Sequence, residues 1–188
     1  MHCEGVIKLV SNEQFDGERR QNSFVNTYRC VHFCLKGNGI STLDVKYGDN
    51  TISSSQTTKF LGIYVDRNLR WTSHIDVLCK KLSTSFIVIS RIKNIVPRNC
   101  VMNVYYSLVY SHLNYNILLW GCSTEISRVF ITQKRILRLI FNIHQRTSCT
   151  PIFINNYIIT LPCLYIYRCL LYVKENEYRF PKLNSNHE

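Results

Sequence analysis

The chain has 188 residues, of which 46% are hydrophobic and 12% aromatic, and it carries a formal net charge of +11. This length suits one ordinary domain, and the hydrophobic content excludes a disordered chain, which combines low hydrophobicity with high net charge. The positive charge favours a polyanionic partner, although a solvated basic surface has the same composition.

The first part of the chain predicts a small β-structure. Residues 1–25 have no sustained hydrophobic period, and we treat them as a leader without assigned structure. The segments TYRCVHFCL and STLDVKYG predict short strands, joined by KGNGI, whose glycines allow the positive φ of a hairpin turn. GDN turns the chain again, and TTKFLGIYVD predicts one further strand. Residues 26–66 are therefore predicted to form an antiparallel meander.

From Trp71 the hydrophobic period changes from two residues to 3.6, which predicts a helix. Thr72 or Ser73 can cap it, with Asp76 three residues after Ser73. Pro97 ends this helix and suits the first turn of the next. The stripe that faces the core comprises Ile75, Leu78, Leu82, Phe86, Ile89, Ile92 and Val96.

Further helices are predicted over residues 97–120, from Ser123 or Thr124 onward, over 151–156 and over 162–175, before a polar tail at 177–188. Gly121 is placed at the end of the second helix. The inward positions of the second helix are Val101, Val104, Leu108, Tyr115 and Leu119. Those of the third are Ile126, Phe130, Gln133, Leu137 and Ile140. Three tyrosines assigned to the core are Tyr105, Tyr115 and Tyr167.

The order of these elements predicts an α+β fold. A small antiparallel meander is followed by a bundle of four to five α-helices across residues 67–176.

The search for catalytic groups favours no enzyme site. Metal-dependent phosphoryl transfer needs clustered carboxylates, but Asp44, Asp49 and Asp66 are separated. Asp66 ends an apolar run before a basic stretch, and we interpret it as the cap of a structural joint rather than as a catalytic carboxylate. The chain has no glycine-rich phosphate loop, and His74, His112 and His144 are isolated. A small enzyme with an undetected Cys/His or carboxylate site is the remaining catalytic alternative.

Cysteine use predicts free thiols and an intracellular location, nuclear or cytoplasmic. The nine cysteines are odd in number and irregularly spaced, and no secretory signal opens the sequence. Cys30, His32 and Cys34 share one face of a predicted strand, but no fourth ligand follows at a zinc-like spacing. We predict no metal or cofactor in this chain. The most apolar segment, residues 152–173, is interrupted by polar residues and a proline, so no membrane span is predicted.

The basic residues predict a nucleic-acid-binding surface. Residues 57–146 contain thirteen Lys and Arg but only three Asp and Glu. Cations bind phosphates, and interleaved aromatic side chains can stack on bases. The predicted phosphate contacts are Lys80, Lys81, Arg91, Lys134, Arg135 and Arg138.

Four ordered blocks carry a family resemblance. They are TTKFLGIYVDRNLRWTSHIDVLCKKLSTSFIVISRI, YYSLVYSHLNYNILLWG, QKRILRLIF and TSCTPIFINNYIITLPCLYIYRCLLYVKEN. Together they make residues 25–176 resemble the C-terminal part of the reverse transcriptase of jockey-like and related non-LTR retrotransposons. FLGIYVD looks like the strand just after the catalytic palm, and WTSHI like the start of a helical, thumb-like region that grips the template and primer. NTYRCVHF looks like a degraded end of the palm, with Asn26 where the family usually has Lys.

The resemblance implies RNA-directed DNA polymerisation for the full-length relative, with two magnesium ions on palm aspartates. This sequence lacks the aromatic-x-Asp-Asp motif, so no catalytic residue is carried over. The expectation is a truncated fragment that binds RNA or an RNA/DNA hybrid and lacks its palm partner. The alternative is an inert remnant whose apolar faces once met that palm.

Overall fold

The computed structural model describes residue 31 and residues 45–47, 50–52 and 55–180. The chain divides into two compact units, Met1–Asp76 and Val77–Glu188. Along the described residues short antiparallel strands precede a series of helices, which confirms the predicted α+β class.

Two hairpins make up the described β-structure of the first unit. β1 (Val45–Tyr47) pairs antiparallel with β2 (Asn50–Ile52), and β3 (Thr57–Phe60) pairs antiparallel with β4 (Ile63–Asp66). Within the described ranges the hairpins are separate two-stranded sheets rather than one meander. The strand predicted at residues 27–35 lies outside the described residues, except for Val31, which is buried.

The single strand predicted for TTKFLGIYVD is wrong, because the chain reverses in its middle. Leu61 and Gly62 have φ values of 46° and 79° between β3 and β4. Two successive positive φ values are typical of a type I′ turn, whose twist matches that of the paired strands. Leucine seldom adopts a positive φ, so the apolar sequence at this position did not predict a turn.

The joint after β4 is built around Asp66, as predicted. The Asp66 carboxylate accepts a hydrogen bond from the Arg70 amide at 2.8 Å, and the Asp66 carbonyl accepts one from the Leu69 amide at 3.0 Å. The Arg67 amide donates a hydrogen bond to the Gln56 carbonyl at 2.9 Å. Leu69 and Trp71 both have positive φ, so the chain turns sharply before the first helix.

Four of the predicted helices are present, although the first ends at Ile92, four residues before Val96, because residues 93–96 form turns, so the prediction that Pro97 ends it is wrong. They are α1 (Thr72–Ile92), α5 (Ile126–Phe141), α6 (Thr150–Asn155) and α7 (Leu161–Glu175), and a short 3-10 turn, Glu177–Arg179, follows. The prediction that Ser123 or Thr124 caps α5 is wrong, because Glu125 is the N-cap residue and no side chain caps the helix. The Ser123 hydroxyl accepts from the Glu125 amide at 3.2 Å in the turn before the helix. α7 packs against α4 (Ile117–Trp120) and α5.

The uninterrupted helix predicted over residues 97–120 is wrong. The segment comprises α2 (Arg98–Tyr105), a π-helical stretch (Tyr106–Tyr110), α3 (Ser111–Asn114) and α4. The π-helical stretch adds one residue to a turn, and Asn116 then adopts a left-handed conformation with φ 50°. The Trp120 indole donates to the Tyr115 carbonyl beside this break at 2.9 Å.

This change of register moves the buried face. Tyr115 and Leu119, predicted to point inward, are 49% and 50% exposed, and Tyr167 on α7 is also 49% exposed. Tyr105 is fully buried, as predicted. The residues that form the buried face of this segment are Val101, Tyr105, Val109, Leu113, Ile117 and Trp120.

Gln133 is a fully buried polar residue at the centre of the second unit. Its amide nitrogen donates to the Tyr105 hydroxyl at 3.0 Å and to the Ile159 carbonyl at 3.1 Å. Its amide oxygen accepts from the Leu161 amide at 3.0 Å. Burial raises the pKa of Tyr105, so its hydroxyl stays protonated. One side chain therefore joins α5 to α2 and to the start of α7.

None of the helices in the described part of the chain is long and apolar enough to cross a membrane.

Replacing Gln133 with Leu should lower the free energy of unfolding by about 2–4 kcal/mol, because the Leu161 amide and the Ile159 carbonyl lose a buried partner. Tyr105→Phe should cost only about 1 kcal/mol, since the Gln133 amide keeps its other two contacts. Urea unfolding of the two variants and the wild type measures both effects. Equal stability of Gln133→Leu and wild type would contradict the central role of this amide.

Candidate functional site

A groove of about 890 Å³ lies in the second unit. It is bordered by the C-terminal half of α1, by α5 and by the loop that follows α5. Its lining residues are Phe86, Lys93, Ile131, Arg135, Arg138, Leu139, Asn142, Ile143, His144 and Gln145. None of these ten residues is acidic, so we call this surface the basic groove.

The three cations of the basic groove are held by neutral partners. The Arg135 guanidinium lies over the Phe86 ring, 4.6 Å from its centroid. The Lys93 ammonium donates to the Asn142 side-chain oxygen at 2.6 Å. Arg138 donates from Nε and Nη2 to the Thr147 carbonyl at 3.2 and 3.1 Å. Because no carboxylate pairs with these cations among the described residues, their positive charge is not cancelled.

The end of α5 shapes one wall of the basic groove. Asn142 adopts a left-handed conformation with φ 53°, and its amide donates to the Arg138 carbonyl. Asparagine tolerates this conformation well, so the helix ends here and the chain turns into the loop. The turn brings the Asn142 side chain to Lys93, and Arg138 holds the far end of the loop through Thr147. The groove therefore has a defined wall on its loop side.

Phenylalanine rings also hold two cations beside the groove. The Lys134 ammonium lies 4.5 Å from the Phe130 centroid, and the Arg98 guanidinium lies 5.3 Å from the Phe141 centroid. At exposed positions such cation–π contacts contribute roughly 0.5–1 kcal/mol each. They restrict the side chain while leaving its charge available to a ligand.

The structure brings two of the six predicted phosphate-binding residues into the basic groove, namely Arg135 and Arg138. Lys134 is half-buried beside them and is not a lining residue. Lys80, Lys81 and Arg91 are exposed on α1 and also lie outside the lining.

Sequence reasoning missed Lys93 and Arg98. Lys93 comes directly after α1 and follows Phe86 by seven residues, and its amide still donates to the Ile89 carbonyl at 3.0 Å. That helical spacing places both side chains on one side and could have identified Lys93. Arg98 meets Phe141 through a long-range contact with no sequence signal. His144, interpreted as an isolated residue on a helix, lies in the loop after α5 and lines the groove.

Lys81 on α1 lies near His112 on α3. Burial lowers the pKa of His112, and the nearby positive charge of Lys81 lowers it further. His112 therefore disfavours a proton in the folded chain.

Neither a protein-family model nor a solved structure matches the chain. One curated protein relates the chain to the reverse transcriptases of retrotransposons. It is the RNA-directed DNA polymerase from mobile element jockey of Drosophila melanogaster, 27% identical over 126 residues. The match covers 63% of this chain and 14% of that protein, so the chain spans only a small part of its relative's length.

The pKa of His112 predicts a loss of stability on acidification. In the unfolded chain His112 regains its ordinary pKa near 6.5, so below that pH the unfolded state binds the proton first. The free energy of unfolding should therefore fall as pH drops below about 6.5, and His112→Gln should reduce this slope. Urea unfolding at about pH 7.5 and 5.5 measures it. An unchanged slope in the variant would show that His112 does not contribute.

Proposed function

We propose that the second unit is a thumb-like, nucleic-acid-binding module from the C-terminal part of a retrotransposon reverse transcriptase. Its ligand is RNA or an RNA/DNA hybrid duplex. The observation that supports this proposal most directly is the basic groove, where three cations have neutral partners and no acidic residue lines the surface.

The geometry suits a phosphate backbone rather than an isolated base. Lys93, directly after α1, and Arg135 and Arg138 on α5 border one open groove, so successive phosphates can meet different cations. Binding of a polyanion to such cations releases counterions, which drives association at low salt. Lys80, Lys81 and Arg91 on α1 are a second exposed group that can extend the contact.

In this proposal the chain contributes binding and not chemistry. The whole polymerase would hold its magnesium ions on palm aspartates, which are not among the motifs of this sequence. Among the described residues no three His, Cys, Asp or Glu side chains form a group that could hold a metal ion. The proposed location is intracellular, nuclear or cytoplasmic, where nucleic acid is available.

Binding of the full chain to a labelled RNA/DNA hybrid across a salt series tests the proposal. The affinity should fall steeply with salt, and Lys93→Gln with Arg135→Gln should reduce the slope of log K against log salt by roughly one per lost phosphate contact. Arg138 is left unchanged because it also holds the loop at Thr147.

The matched control is Lys59→Gln with Lys174→Gln, two exposed lysines outside the groove, which removes the same charge. This variant should bind almost as the wild type does. A third variant, Lys80→Gln with Lys81→Gln, tests the group on α1. Equal losses in the groove variant and the control would show that only net charge matters, and no binding by the folded wild type would contradict the proposal.

We also propose a second role, in which an apolar face of α7 meets the palm domain of the whole polymerase. Ile166, Leu170 and Val173 recur at helical spacing and are 57%, 64% and 44% exposed. A soluble surface seldom leaves such a stripe uncovered, and an unpartnered face of this kind is typical of a protein interface. An inert remnant would expose the same stripe, so this observation also supports that alternative.

Without its partner the stripe should cause self-association that rises with concentration. Changing Ile166, Leu170 and Val173 to Gln should suppress self-association, because the variant no longer gains free energy by burying apolar side chains between two chains. Sedimentation velocity of both chains measures the effect. The control changes Ile87, Val88 and Ile95, three other exposed apolar residues, to Gln. Monomeric wild-type chain at all concentrations would argue against an adhesive α7 face.

A further inference from the structure

The basic groove is lined by apolar side chains as well as by cations. Its apolar lining consists of Phe86, Ile131, Leu139 and Ile143. Ile131 is 58% exposed, and the other three are half-buried, so hydrocarbon is open to a ligand in the groove. A phosphate backbone makes no favourable contact with such side chains, because their burial is driven by the removal of apolar surface from water. The apolar lining therefore indicates a ligand with apolar surface beside its charges.

Apolar and charged side chains alternate along α5 in the basic groove. Ile131, Arg135 and Arg138 follow one another at steps of four and three residues. Residues at these spacings lie on one face of a helix. Leu139 follows Arg135 by four residues and extends the same face. A strand that lies along this face can meet a cation and a hydrocarbon side chain with each of its repeating units.

Arg135 offers a planar surface in addition to its charge. Its guanidinium lies over the Phe86 ring, 4.6 Å from the centroid, so the ring covers the group from one side. Arg135 is itself exposed and lines the groove, which leaves the rest of the guanidinium open to a ligand. Unpaired bases stack on arginine guanidinium planes. Arg135 can therefore hold a base on its face while its N–H groups donate to phosphate.

Duplex and single-stranded nucleic acids differ in what they present to such a surface. In a duplex the bases are paired and stacked inside, so phosphates and sugars face the protein. In a single strand the bases can be splayed out beside their phosphates and contact aromatic, arginine or apolar side chains. An unpaired strand can thus satisfy the cations and the apolar lining together, whereas a duplex leaves the apolar lining without a partner.

We propose that the basic groove binds single-stranded RNA. The phosphates lie at Lys93, Arg135 and Arg138, and the bases lie against the apolar lining and the open side of the Arg135 guanidinium. This inference rests on the proposed nucleic-acid-binding function and narrows its ligand to an unpaired strand. A hybrid duplex binds the same cations more weakly, through charge alone.

The test measures binding of the full chain to three labelled probes by fluorescence anisotropy. The probes are a short unstructured RNA, the same RNA annealed to complementary DNA, and a strand of equal length in which abasic sites replace the bases. Moderate salt is used, because it weakens the electrostatic contribution that all three probes share. The single-stranded RNA should bind at least about fivefold more tightly than either other probe, since base contacts add to its affinity.

Two substitutions in the groove separate base contacts from charge. Ile131→Gln should weaken binding of the single-stranded RNA roughly three- to tenfold, because an apolar contact is lost, and should leave the other two probes unchanged. Arg135→Lys keeps the charge but removes the planar surface, so it should also weaken binding of the RNA selectively. The matched control is Ile154→Gln on α6, where Ile154 is 66% exposed outside the groove. This control should bind every probe as the wild type does.

The outcomes distinguish this inference from the proposed function on which it rests. Tighter binding of the hybrid than of the single-stranded RNA, or equal losses for the RNA and the abasic strand in Ile131→Gln, would overturn the single-strand inference alone. Absence of binding to all three probes by the folded wild type would overturn both. Circular dichroism of each variant verifies that it is folded.

Discussion

The second unit depends on one buried amide, that of Gln133. A buried amide without partners costs several times what a hydrogen bond contributes, so α2, α5 and the start of α7 must keep the positions that satisfy it. Arg135 lies two residues later, about 200° around α5. The orientation that points Gln133 into the core therefore turns Arg135 to the surface, so a polar contact in the interior fixes the direction of the basic groove.

The second constraint is the way in which the surface cations are held. Carboxylates would restrict Arg and Lys side chains equally well, but they would cancel the charge that a polyanion needs. Phe86, Phe130 and Phe141 restrict three cations without such cancellation. Among the described residues an ion pair joins Arg128 to Glu125 at 3.3 Å and includes none of these three cations. The three cationic side chains are thus already restricted in the folded chain, so they lose less conformational entropy when a ligand binds.

The sequence was sufficient where the hydrophobic period of a helix is regular. α1, α5, α6 and α7 follow such patterns, and Asp66 acts as the joint that its position indicated. The sequence was insufficient where the backbone adopts uncommon conformations, as at Leu61 and in the π-helical stretch. No residue type at these positions indicates a turn or a π-helix. The groove was found only in part, since Arg135 and Arg138 share a helix face whereas Lys93 reaches them through tertiary packing.

The π-helical stretch Tyr106–Tyr110 marks a position where one residue can be inserted or lost during evolution. A π turn contains one residue more than the α turn it replaces, so it accommodates a single-codon insertion without disturbing the helix on either side. Loss of one residue there would restore a regular α-helix and keep the faces of α2 and α3 in register with their neighbours. Divergent copies of this gene can therefore differ in length by one residue at this point, where a gap in an alignment would carry structural meaning.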